Sequence, residues 1–275
     1  LKNLLEKEGK AVYYADLEDS RYAAILNSGT EEFLRLLREE GFDLSKKIYV
    51  FIDEIQYLAN PSSFLKLVSD HHKNIKLIVS GSSSFEIKDK FKDSLTGRTV
   101  EFEIFNLSFE EFLMFKHYSV SARPALQVSK RFTGRKIGEM KALFREYVLF
   151  GGYPKIVLVN SVDMKEKYIQ QIIDTYVKKD IRDLAAVKDV NKFNKLLEVL
   201  ASQSGQMLNV TELSNTCGIA KQTVERYLFI LESTYVLKLV APYSTNLRSE
   251  LFKMPKIYFY DSGLMQMLWL KSLQK

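Results

Sequence analysis

The sequence predicts an α/β fold: a parallel sheet in the first part of the chain, then a helical segment and a smaller domain of helices with a strand pair. Three observations carry this. Continuous apolar runs at AVYYADLE (11–18), KIYVFID (47–53) and IKLIVSGSSS (75–84) read as buried strands with helical periodicity between them. From about residue 117 the stretch HYSVSARPALQVSKRFTGRK is basic, carries Pro and Gly, and has no sustained period. After it the chain turns mainly helical until two short apolar runs near its end. The expected divisions are 1–118, 119–190 and 191–275.

In chain order, the first strand run is followed by a helix over TEEFLRLLREEGF (30–42), with Phe33, Leu34 and Leu37 on one face and Gly41 at its end. The second strand run ends in two acids, Asp53 and Glu54. A helix over 60–72 then opens with Asn60 and Pro61, good start chemistry. The third run breaks into Gly and Ser, and TVEFEIFNLSFEEFL (99–113) predicts another strand and a helix opened by a Ser108–Glu111 capping box. Apolar strands separated by helices predict a parallel sheet covered on both faces. Beyond the basic stretch, helices are expected over 140–150, closed by Gly-Gly-Tyr-Pro, and over 165–187.

The last part carries helices over 191–205, 209–218 and 219–234, then strands at YVLKLVAPY and KIYFYD joined by the basic loop STNLRSELFKMP. Three helices, a tight turn at Gly218 and a two-stranded hairpin describe a winged helix-turn-helix. In its third helix Val224, Leu228 and Leu231 belong to the core, leaving Lys221, Gln222, Thr223 and Arg226 outward with Glu225. Ala220 stands where Ser or Thr would usually cap that helix. Arg248 and Lys253 lie in the expected wing.

Composition narrows the function classes. No apolar run approaches the roughly 18 residues of a membrane span, and the start lacks a signal-peptide layout, so a cytoplasmic protein is expected. A single cysteine, Cys217, and three histidines exclude an internal disulfide and a Cys/His metal cluster. The formal charge is +6, from 40 basic and 34 acidic residues. The stretch from Lys116 to Lys141 is strongly basic, with Glu139 its one acid; it reads as a solvated loop or as a phosphate-attracting patch.

Two carboxylates at the carboxyl end of a central parallel strand lie where open α/β sheets bind ligands. In nucleotide hydrolases Asp53 would accept Mg²⁺ or its hydration shell, and Glu54 would orient and deprotonate the attacking water. The alternative is a strand that simply ends in helix-capping acids. Ser80, Ser82 and Ser83 put hydroxyls on the end of the next strand, fit to hold a water or the γ-phosphate, or to form an ordinary turn. Arg98, in DSLTGR, could offset developing phosphate charge or serve as a surface ion pair.

Taken in order, IYVFIDEIQ, LIVSGSSS, SLTGR, LSFEEFL, YVLFGGYPK, YVKKDIRDL, the winged helix and PKIYFYDSGL resemble the archaeal and bacterial AAA-type ATPases fused to a winged-helix region. The resemblance spans nearly the whole chain. It implies a P-loop ATPase core with ATP and Mg²⁺ as cofactors, Asp53 as the Walker B metal acid, Glu54 as the catalytic glutamate, Ser82 or a neighbouring serine as sensor, and Arg98 as a phosphate-directed arginine. It also suggests homo-oligomeric rings; DNA as partner of the winged helix rests on fold analogy, beside winged helices that pack within a larger ATPase or bind protein. The family's G-x-x-x-x-G-K-[ST] loop is absent from residues 1–275. The segment before Ala11 resembles the end of the helix that follows it. The expectation is therefore a first strand and phosphate loop upstream of Leu1, and poor ATP binding by this chain alone. The rival reading is a non-enzymatic regulator that uses the ATPase-like half as a scaffold.

Overall fold

The computed structural model describes residues 1–81, 97–118, 134–180, 187–243 and 254–273. The chain divides into two compact units, Leu1–Phe102 and Glu103–Lys275. The division falls ahead of the capping-box helix, not after residue 118, because that helix packs with later elements of the second unit.

In the first unit, α1 (Lys2–Lys7) leads to β1 (Ala11–Asp16), then α2 (Ser20–Ser28), α3 (Thr30–Glu39), β2 (Ile48–Asp53), α4 (Pro61–His71) and β3 (Ile75–Val79). The three strands are parallel in the order β1-β2-β3, with Tyr13 beside Val50 and Val50 beside Leu77. Both crossovers step in the same direction, and right-handed crossovers of that kind lay their helices on one face. Tyr13, Ala15, Ile48, Val50, Ile52 and Ile75 are accordingly buried in one cluster with Phe33, Leu34 and Leu37 of α3 and Phe64, Leu65 and Val68 of α4. Phe33 and Phe64 meet edge to face at 5.3 Å.

The crossover helices cover one face of the sheet. On the other face Val12, Tyr49, Phe51 and Ile78 are half-buried, and Tyr14 is exposed with the Lys2 ammonium of α1 5.8 Å from its ring centroid. The expected strand in 99–113 is overturned: residues 99–105 join no ladder, and Val100, Phe102 and Ile104 are 79%, 85% and 93% exposed. Alternation makes a strand only where a neighbour takes up its backbone N–H and C=O groups. Among the described residues β3 pairs with β2 alone. Helix α2 was not anticipated; only Leu26 in it is buried, so its apolar period is weak, and its start is capped by the Asp19 carboxylate. Asn60 precedes Pro61 as expected but forms no side-chain cap.

The second unit begins with α5 (Phe109–Phe115), whose start carries the full Ser108–Glu111 capping box. Helix α6 (Gly134–Phe150) begins earlier than the sequence suggested, inside the basic stretch, and is followed by α7 (Pro154–Val157) and α8 (Val162–Ile172), which runs on as a π-helix to Asp180. Helices α9 (Val190–Ser202), α10 (Val210–Cys217) and α11 (Lys221–Ser233) precede an antiparallel pair, β4 (Leu237–Val240) and β5 (Lys256–Phe259), and α12 (Ser262–Leu273) ends the described chain. Met207 adds an antiparallel bridge to Lys256. Phe193, Leu196, Leu197 and Leu200 of α9 are buried with Val224, Leu228 and Leu231 of α11, Leu237, Ile257 and Leu264 in one core, as the helical spacing required. Gly218, at φ 63°, turns the chain between α10 and α11 in the left-handed region that glycine enters freely. Among the described residues no helix is long and apolar enough to cross a membrane.

Candidate functional site

The carboxyl edge of the sheet gathers the acids. Asp16 and Asp53 end adjacent strands in register, and Ser80 follows β3 beside them. The Ser80 hydroxyl donates to Asp53 Oδ1 at 2.6 Å, and the Tyr14 hydroxyl donates to Oδ2 at 3.0 Å. The Glu54 N–H donates to Oδ1 at 3.1 Å. Led by Ser80, and with Tyr14 and the Glu54 N–H, these donors hold the Asp53 carboxyl below the usual range, against the opposing effect of partial burial. Asp53 is thus an anion at neutral pH with both oxygens oriented. The same bond raises the Tyr14 phenol above its ordinary value.

Glu54 leaves the strand in a left-handed conformation, φ 53° and ψ 48°. For a residue with a Cβ this costs on the order of 1 kcal/mol. The turn buries Ile55, whose N–H donates to the Ser80 carbonyl at 2.9 Å. It thereby ties the residue after the acid pair to the next strand. The Gln56 amide donates to Glu54 Oε2, fixing that carboxylate against the turn.

This arrangement places an ionised, hydrogen-bonded carboxylate and a second carboxylate side by side at the strand ends of a parallel sheet. Residues 1–113 match the family model of an AAA domain. Residues 141–274 match a second model, a domain of unknown function (DUF8612). Among curated proteins the chain is 27% identical to an uncharacterized protein of Haemophilus influenzae over 271 residues, covering 96% of this chain and 63% of that protein. An uncharacterized protein of Methanocaldococcus jannaschii is 24% identical, with 90% of this chain and 54% of that protein covered. One of Mycobacterium tuberculosis is 23% identical over 80% of this chain and 44% of its own length. The chain spans between 44% and 63% of the length of these relatives.

Of the residues singled out in the AAA-like region, Asp53, Glu54 and Ser80 come together. Ser82 and Ser83 lie outside the described residues. Arg98 is not brought to the carboxyl edge within its chain. Its guanidinium Nε binds Asp70 at 2.9 Å in the last turn of α4, a helix that runs back from that edge to the start of β3. That ion pair holds the Asp70 carboxyl low and raises Arg98. Tyr14 and Gln56 were missed. Tyr14 reads as one more apolar strand residue, yet its place two before Asp16, on the same face of β1, was the available signal. Gln56 follows the acid pair at a distance from which only a tight turn returns it.

In the second unit Lys221, Gln222 and Arg226 are exposed on α11 and Thr223 is half-buried. Lys221 pairs with Glu225 at 4.0 Å. Arg248 and Lys253 lie outside the described residues. As expected, Ala220 gives α11 no side-chain cap. Beside the start of α11 is an open cleft of about 460 Å³ lined by Lys188, Asp189, Lys192, Gln222, Thr223 and Arg226 among others. Lys188 and Lys192 were not singled out in the sequence, because they lie just before α9 and in its first turn, outside the helix expected to contact a partner.

Proposed function

We propose that the chain is part of an AAA-type ATPase whose second unit, a winged helix-turn-helix, contacts DNA. The observation that carries the first part is the Asp53 carboxylate, ionised and oriented by Ser80, Tyr14 and the Glu54 N–H at the carboxyl edge of the sheet. Oxygen ligands of this kind suit Mg²⁺, which is bound through one or two carboxylates and its own waters. The residues therefore fit the metal: Asp53 would hold it or its hydration shell, with Ser80 beside it. When bound, Mg²⁺ would supply charge neutralisation for the phosphates of ATP. For the phosphates themselves, residues 1–275 contain no glycine-rich lysine loop, so no cradle is assigned to this chain.

Glu54 is the group that takes a proton from the attacking water. The left-handed turn and the Gln56 amide keep its carboxylate in one place, so little reorganisation is needed when the water arrives. The DNA part rests on the order of three helices and a hairpin in the second unit, with Lys221, Gln222, Thr223 and Arg226 on the third helix and Arg248 and Lys253 in the basic loop. Rings of several copies, as AAA proteins form, would let Arg98 serve a neighbour's site if it left Asp70.

The test is ATP turnover by the gene product, including any residues encoded before Leu1, beside its Glu54→Gln variant. Turnover should fall by about 10²- to 10⁴-fold while nucleotide remains bound. Equal turnover in the variant would remove Glu54 from the mechanism. No nucleotide binding by the parent would leave the scaffold reading, a regulator without hydrolysis.

A further inference from the structure

We infer that the cleft between the start of α9 and the start of α11 is a phosphate-backbone clamp for duplex DNA, with Lys188 and Lys192 as its grip. This rests on the DNA reading above and adds to it a second wall, formed by residues outside the third helix. Three cations, Lys188, Lys192 and Arg226, line one cleft of about 460 Å³ against a single carboxylate, Asp189. Asp189 is itself engaged: its side chain accepts the Lys192 N–H at 3.1 Å as the cap of α9 and lies 3.9 Å from the Lys192 ammonium. Among the described residues Lys188 and Arg226 have no ion-pair partner. Lys192 and Lys221 each meet one carboxylate at the edge of ion-pair distance, Asp189 at 3.9 Å and Glu225 at 4.0 Å, and of the two only Lys192 lines the cleft.

The cleft is a concave, cation-rich wall, which is the electrostatic complement of a phosphodiester chain. Its two sides differ in chemistry. Lys188 and Lys192 on the α9 side are point charges suited to phosphate oxygens. On the α11 side the Gln222 amide carries a donor beside an acceptor and the Arg226 guanidinium carries paired donors, the groups that read base edges. The division of labour follows: the α9 side fixes how the duplex lies, and α11 faces the bases.

The experiment is fluorescence anisotropy of a short mixed-sequence labelled duplex against the chain as it stands, across about 50 to 200 mM salt. Each phosphate contact contributes about 0.9 to the slope of log K against log salt. Lys188→Ala with Lys192→Ala should therefore flatten the slope by about 1.8 and weaken binding near 0.1 M salt by about 10- to 60-fold. Both residues are exposed, so folding should be retained. Lys7→Ala with Lys10→Ala removes the same charge from the first unit and should leave the slope as in the parent. A parent that binds while the cleft variant keeps its slope overturns the clamp and leaves the DNA reading standing. So does an equal loss in both double variants. A parent that fails to bind even at the lowest salt overturns both.

Discussion

At Asp53 a single carboxylate collects three donors from three places: Ser80, Tyr14 and the next backbone N–H. Because its folded pKa is depressed, it stabilises the fold fully above the ordinary carboxyl value of about 3.9, and that contribution disappears as pH falls through the lower folded value. Ser80→Ala and Tyr14→Phe each remove one donor, so each should move the Asp53 titration upward, with Ser80 having the larger effect. Carboxyl-carbon NMR through an acid titration reads this directly; an unmoved Asp53 in Ser80→Ala would show that the hydroxyl does not hold it. The acid pair was legible because two adjacent carboxylates after an apolar run are chemically conspicuous. Tyr14 was hidden: alternation assigns it to a face but says nothing of what that face meets. Arg98 looked available only because Asp70, 28 residues away, has no sequence signal connecting it.

Among the elements, three separate motifs of the second unit are joined by one buried side chain. Asp261, before α12, accepts from the N–H groups of Gly152 (2.8 Å) and Leu264 (2.9 Å) and from the Asn106 amide (3.1 Å). Burial raises its pKa despite those donors. The backbone approach is close enough that a Cβ on Gly151 would lie 2.1 Å from the Asp261 carboxylate, and one on Gly263 would lie 2.3 Å from the Phe150 backbone. Gly151 also sits at φ 77°, where a side chain is strained. Asp261→Asn turns one acceptor oxygen into a donor facing other donors, and should cost about 1–3 kcal/mol in urea unfolding. In the parent, the native state holds the Asp261 proton longer than the unfolded chain does. Stability should therefore decline as pH rises from about 3.9 toward the raised native value, and the Asn variant should lack that component. A variant as stable as the parent would mean that the three motifs are held by packing alone. The Gly-Gly-Tyr-Pro stop was legible as a helix end. Its contact with a Tyr-Asp-Ser-Gly stretch 109 residues later was not, because local sequence carries no record of that distance.

For the molecule as a whole, each unit has its own core: Phe33, Leu34 and Leu37 behind the sheet in one, and Phe193, Leu196 and Leu197 among helices in the other. Leu34→Ala should destabilise the first by about 2–5 kcal/mol, and Leu197→Ala the second by a similar amount. Native-state hydrogen exchange should then show lost protection in residues 11–79 for one variant and 193–264 for the other. Loss throughout the chain in either variant would show that the two units unfold together.

What the sequence determined by itself was the identity and order of most strands and helices, the apolar faces of α3, α9 and α11, and the acid pair at the end of β2. Each depends on residues close together in the chain, where periodicity and capping chemistry act. The tertiary structure decided the rest. The two same-direction crossovers put the helices on one face of the sheet. The lack of a paired neighbour among the described residues left 99–105 outside any ladder. Ser80 and Tyr14, from neighbouring strands, converged on Asp53, and Lys188 and Lys192 came to face Arg226 across a cleft. Each of these outcomes depends on groups distant in sequence becoming neighbours, and hydrogen bonds and charges act only over the distances that folding creates.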